Sequence, residues 1–156
     1  MIRALSVNTG FAASTLICAV EIKTKELLQI MVHQATTFLT EMEGFWPFGG
    51  VVNGEGFVVP LTAYPGGNQP DSADVLALLE KGIAAKFGNE EITAAAIVSD
   101  TDYRETPASE RAQALKIRLL VPPAAPEDHY YLYRVEVGQV VLYDYIIHRP
   151  VSGPFR

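Results

Sequence analysis

The residues of this chain that could do chemistry are few and widely spaced. Its three histidines are His33, His129 and His148, and its single cysteine is Cys18. A metal site needs three or four such donors converging on one ion. None of the histidines lies near another or near the cysteine. His33 falls among Met31, Val32 and Ala35 in a helical pattern, where a packed or surface role is expected. His129 and His148 flank the open ends of a hairpin over 130–147, so folding could bring them together; a structural role is the expectation there too. Asp100-Thr101-Asp102 could grip a hard cation between two carboxylates. It lacks a third ligand at useful spacing, and Ser-Asp-Thr-Asp after a strand is ordinary turn chemistry. Cys18 stands between Ile17 and Ala19 with no charged neighbour to lower its pKa, the setting of an inert thiol. There is no Gly-x-Ser-x-Gly elbow. Gly49-Gly50 and Gly66-Gly67 lack the lysine and spacing of a phosphate-binding loop and read as turns. The expectation is no catalytic residue, no metal and no cofactor.

The remaining signals are aromatic. Phe45-Trp46-Pro47-Phe48-Gly49-Gly50 gathers three rings around one proline. Such a cluster predicts a hydrophobic plug under the sheet with Trp46 mostly buried, because an exposed one would be a sticky patch. Taken instead as the lip of a ligand pocket, the candidate binding residues are Phe45, Trp46, Phe48, Tyr64 and Tyr103. An enzymatic version of the same site adds Asp100, Asp102 and His148. The second aromatic signal is YYLYRVEVGQVVLYDYII, residues 130–147. Gly138 suits the first central position of a type II′ turn over Gly138-Gln139. That register places Val137 opposite Val140, Val135 opposite Leu142, Tyr133 opposite Asp144 and Tyr131 opposite Ile146 on a core face. It leaves Arg134, Tyr143 and Tyr145 together on an outer face, the composition of a subunit interface. Asp144 on a core face would need a partner, Arg149 or a tyrosine hydroxyl, or a proton, unless it lies at the sheet margin.

Elements to position these residues follow from periodicity. Leu27, Leu28, Met31, Ala35, Phe38, Leu39 and Met42 recur at helical spacing, with Thr24 as the cap and Gly44 at the stop. Residues 1–23 are ambiguous between a short strand and a helix start. Val51-Val52, the turn Asn53-Gly54-Glu55-Gly56 and a strand from Phe57 to Tyr64 predict a hairpin, with Pro60 marking an edge or a bulge. Asp71 or Ser72 caps a second helix whose stripe is Val75, Leu76, Leu79, Ile83 and Phe87, ended by Gly88. Ile92–Ser99 reads as a strand, Asp100–Gln113 as a polar excursion and Ala114–Val121 as an alternating strand. Pro122-Pro123-Ala124-Ala125-Pro126 is a stiff connector. The fold class expected is α+β: one antiparallel sheet of about five to six strands, two main helices on one face, order α-β-β-α-β-β-β. That order is profilin-like or roadblock-like by analogy, which carries no function. The domain boundaries are an uncertain arm over 1–23, one domain over 24–149 and a tail over 150–156.

Composition narrows the function classes. With 156 residues the chain fits one domain. A net charge of −6 with scattered lysines and arginines argues against nucleic acid. No apolar run reaches the ~18 residues of a membrane span. One cysteine suits a reducing compartment, so a cytoplasmic protein is expected, with the first twenty residues only faintly resembling an export signal. The stretches FLTEMEGFWPFGGVVNGEGFVVPLTAY, PDSADVLALLEKGI and ITAAAIVSDTDY resemble a group of small uncharacterised bacterial proteins. These share an aromatic-x-Pro-Phe-Gly turn after the first helix. The resemblance spans roughly residues 24–147, omits the first twenty, and implies no activity. The leading expectation is a non-enzymatic interaction domain, a homodimer joined through its sheet. The alternatives are a binder of an unidentified small molecule, or an enzyme, with a site around the aromatic turn and residues 100–103, and an acidic immunity or regulatory protein that masks a partner.

Overall fold

The first long helix meets no obstacle at its expected start. Between Phe11 and Glu43 there is no glycine and no proline, so Thr24 does not cap a helix; it lies inside one. In the computed structural model, which describes residues 9–42, 44–67 and 70–148 and side chains from residue 22 onward, helix α1 spans Thr9–Met42. Residues 1–8, the side chain of Cys18 and the tail after His148 lie outside that description, and with them the readings of an inert thiol and of Arg149 as a partner for Asp144. Strand β1 covers Phe48–Asn53 and β2 covers Val58–Leu61. Helix α2 covers Ser72–Gly88, β3 Ile92–Tyr103, β4 Ala112–Leu120, β5 Glu127–Glu136 and β6 Gln139–His148. Four strands follow α2, and all six pair antiparallel in the order β2-β1-β3-β4-β5-β6. The fold is α+β, as the patterning predicts.

The two helices do not share a face. Leu27, Met31, Ala35 and Leu39 of α1 pack on Phe48, Val52, Ala94, Ala96, Val98, Leu115, Ile117 and Leu119. Val75, Leu79 and Ile83 of α2 pack on Val51, Ala95, Ile97 and Leu120, the residues that alternate with the first set. The helices therefore lie on opposite sides of the sheet. The reason is the run Ala94–Val98, apolar at every position. A strand facing water on one side alternates, whereas an uninterrupted apolar run is the mark of one buried on both.

Gly49 and Gly50 are strand residues, not turn residues. A Cβ on Gly50 would lie 2.7 Å from the Met31 Cε, and one on Gly49 would lie 2.5 Å from the Ala96 carbonyl oxygen. Their bare backbone lets β1 slide close under α1 and beside β3. The β1–β2 turn is fixed by Asn53, whose Oδ1 accepts from the Glu55 and Phe57 amides at 3.0 and 2.9 Å. Asp71 caps α2, its carboxylate accepting from the Ala73 amide. Asp100 to Asp102 form part of β3, paired with Leu115, Ala114 and Gln113, because the polar excursion is shorter than its composition suggests.

Candidate functional site

The hairpin turn falls one residue earlier than expected. Glu136 pairs with Gln139, so Val137-Gly138 is the turn, with φ of 51° and 73°. Two positive φ values give the type I′ pattern, whose twist matches the flanking strands better than a flat turn would. The register then runs Val135 to Val140, Arg134 to Val141 and Tyr133 to Leu142. It breaks at a bulge that leaves Tyr143 unpaired, and resumes with Leu132 to Asp144 and Tyr131 to Tyr145.

The turn alone keeps Tyr133 and Val135 on one face with Val140 and Leu142; the bulge changes which side chains share a face beyond it. Residues paired across an antiparallel ladder point the same way. His129, Tyr131, Tyr133 and Val135 join Val140, Leu142, Tyr145 and Ile147 on the α1 side. Asp128, Tyr130, Leu132 and Arg134 join Val141, Asp144, Ile146 and His148 on the α2 side. Tyr143 and Tyr145 therefore do not form one outer face with Arg134. Tyr143 lies under the Arg134 guanidinium, 5.1 Å from its carbon to the ring centroid, and Arg134 also pairs with Glu136. Asp144 is exposed and not in a core; its Oδ1 accepts from the Tyr145 amide at 2.8 Å. The two hairpin histidines are on opposite faces and do not meet.

The proposed pocket lip does not converge either. Phe45 and Phe48 form an edge-on aromatic group with Phe38 under the end of α1, centroids 5.2–6.0 Å apart. Trp46, expected inside, is 51% exposed, because the three phenylalanines fill the space beneath the helix. Tyr64 is exposed in the loop after β2, its hydroxyl donating to the Gly67 carbonyl. Tyr103 is buried on the α2 side, with the Tyr130 and His148 rings 4.9 and 5.7 Å away and His148 Nε2 3.3 Å from its Oη. Asp100 accepts from the Tyr133 hydroxyl at 2.8 Å, and burial raises its carboxyl above the ordinary range. Asp102 pairs with Arg111 at 3.3 Å.

Two polar groups were not visible from the sequence. On the α2 side, Arg118 and Asp128 form a buried two-pronged ion pair, at 2.7 and 2.6 Å. On the α1 side, buried His129 links Glu127 Oε1, 3.0 Å from its Nε2, to the Tyr145 hydroxyl, 2.6 Å from its Nδ1. An ionised carboxylate only accepts, so in the neutral ring Nε2 carries the proton and Nδ1 accepts from Tyr145. Tyr145 stacks on Tyr131, centroids 4.7 Å apart. Burial raises the Tyr131 hydroxyl, and Tyr145 beside it adds to that. Glu127 and His129 at i and i+2 are a same-face pair in any strand. The strand had been expected to begin only at Tyr130, which hid them.

This relay borders a cleft of about 470 Å³ between α1 and the end of the sheet. It is lined by Thr24, Lys25 and Leu28, by Leu119, Val121, Ala124 and Ala125, and by Glu127 and His129. Beyond it, β6 is the edge of the sheet. Leu142, Tyr143 and Tyr145 are 40–46% exposed on its two faces, and no described strand pairs with its outer side. No group of three or more potential metal ligands gathers among the described residues. No helix among them is long and apolar enough to cross a membrane. Against protein-family models, curated proteins and solved structures alike, this chain finds no match.

Proposed function

We propose that this protein is a non-enzymatic interaction domain that dimerises by pairing β6 of one copy with β6 of a second, antiparallel about a two-fold axis. The observation that carries this reading is the asymmetry of the two sheet edges. At one edge β2 is four residues long and contains Pro60, which cannot donate to a neighbouring strand. At the other, β6 is ten residues long and rich in apolar and aromatic side chains, exposed in part on both faces. Edges of that kind are normally blunted by lysines, prolines or a covering element. Here the strand Gln139–His148 has no lysine, arginine or proline, and its one carboxylate is Asp144, although the chain as a whole carries −6.

Self-pairing answers each of these points. It satisfies the outward backbone N–H and C=O groups of β6 and is isologous, so the same strip serves both copies. Two such strands meet with little like-charge repulsion. Sedimentation velocity from low to high micromolar protein tests the reading. The wild type is expected to dimerise, and a Leu142→Lys, Tyr143→Lys variant, with an unchanged circular dichroism spectrum, to stay monomeric. A wild type that remains a monomer at tens of micromolar overturns the proposal, and so does a dimer indifferent to the two lysines.

A further inference from the structure

The cleft beside His129 has a composition that selects a ligand. Its walls are mostly apolar: Leu28 from α1, Leu119 at the end of β4, and Val121, Ala124 and Ala125 from the connector. The alanines of the proline-rich connector leave the space that longer side chains would fill. The volume of about 470 Å³ lies within the ~300–1,000 Å³ of ordinary small-molecule sites. Four polar residues break the apolar lining among the described residues. Glu127 and His129 are already committed to each other, and His129 also to Tyr145. The Thr24 hydroxyl and the Lys25 ammonium, on the helix wall, make no hydrogen bond or ion pair among the described residues. What the cleft offers a guest is an apolar trough, one cationic and one hydroxyl donor at its helix side, and a carboxylate at its sheet side.

We infer that this cleft binds an apolar monocarboxylate, a short- to medium-chain or aromatic acid. Its single head group meets Lys25 and Thr24, and its body lies on Leu28, Leu119 and Val121. Among the described lining residues Lys25 is the one cation on the helix wall and the trough beyond it is apolar, so a second carboxylate would be desolvated there without a partner and a dicarboxylate is disfavoured. This is independent of the edge pairing, since none of the cleft residues belongs to β6.

Isothermal titration calorimetry of the full chain with octanoate, octan-1-ol and the dicarboxylate suberate tests it. Octanoate is expected to bind saturably in the millimolar range or tighter, and suberate at least about tenfold more weakly, because its second carboxylate would be desolvated against an apolar wall without a partner. Lys25→Gln is expected to weaken octanoate about two- to fivefold, the size of an exposed ion pair, and to leave octan-1-ol unchanged. Ala125→Phe, at an exposed position of the connector, fills the trough and, with an unchanged circular dichroism spectrum, is expected to abolish binding of both. Octanoate that fails to bind, that binds equally well to the Ala125→Phe variant, or that binds no better than suberate overturns the inference.

Discussion

At the scale of single residues, the turn at Val137-Gly138 is the clearest local conflict between sequence and backbone. A β-branched side chain at φ 51° crowds the adjacent carbonyl, and Val137, fully exposed, recovers nothing by packing. Asn tolerates this conformation and is the favoured partner of Gly in a type I′ turn. Val137→Asn is expected to stabilise the fold by about 1 kcal/mol, seen in urea unfolding as a higher midpoint at unchanged slope; no gain would mean the turn relaxes in solution. Asp100 is a second such position. Burial raises its carboxyl, outweighing the Tyr133 hydrogen bond that lowers it. The folded chain therefore holds that proton more tightly than the unfolded chain does, and stability falls as pH rises from 3.8, the ordinary value, through the raised one. Asn keeps an acceptor for the Tyr133 hydroxyl and removes the titration. Asp100→Asn is expected to lose this fall and to be at least as stable as wild type at neutral pH. Unfolding at a series of pH values checks it, and identical profiles for the two proteins would count against a raised Asp100 carboxyl.

At the scale of elements, patterns that depend on neighbours in sequence were legible and those that depend on register were not. The stripe Val75-Leu79-Ile83 with Asp71 before it specifies α2, and Pro60 marks β2 as an edge, since both are local facts about backbone donors and side-chain period. The aromatic hairpin is where predicted, and its earlier turn shifts the pairing by two positions and keeps the faces; the bulge at Tyr143 then exchanges the faces of β6 beyond it, because the side-chain period of a strand is two. With that bulge went the shared face of Tyr143 and Tyr145 and the core position expected for Asp144. The candidate site fared worse than the fold. Glu127, His129 and Tyr145 come from two strands, and only the bulge at Tyr143 brings Tyr145 onto the side that His129 occupies. Nothing in composition announces a bulge. The Phe45-Trp46-Phe48 group was found as a cluster, yet which of its rings faces water depends on Phe38, about one turn before the end of α1.

At the scale of the molecule, the sheet divides the interior. Through the shared strand β3, Ala94, Ala96 and Val98 belong to the core beneath α1, while Ala95 and Ile97 belong to the core beneath α2. Neighbours in the chain are thus members of separate packing groups, and residues nearly twenty positions apart, such as Leu79 and Ile97, share one. The consequence concerns how substitutions combine. Energetic coupling between two sites requires contact or a common partner, and sites without either add to within about 0.5 kcal/mol. Leu79→Ala alone is expected to cost ~2–5 kcal/mol. Paired with Ile97→Val it should depart measurably from additivity, because both changes open the same cavity under α2. Paired with Val98→Ala, one residue further along, it should simply add. Double-mutant cycles by urea unfolding separate the cases, and coupling of equal size in both would mean that the two halves of the interior respond as one. If they respond separately, sequence variation accumulating in one core leaves the other free to change at its own pace.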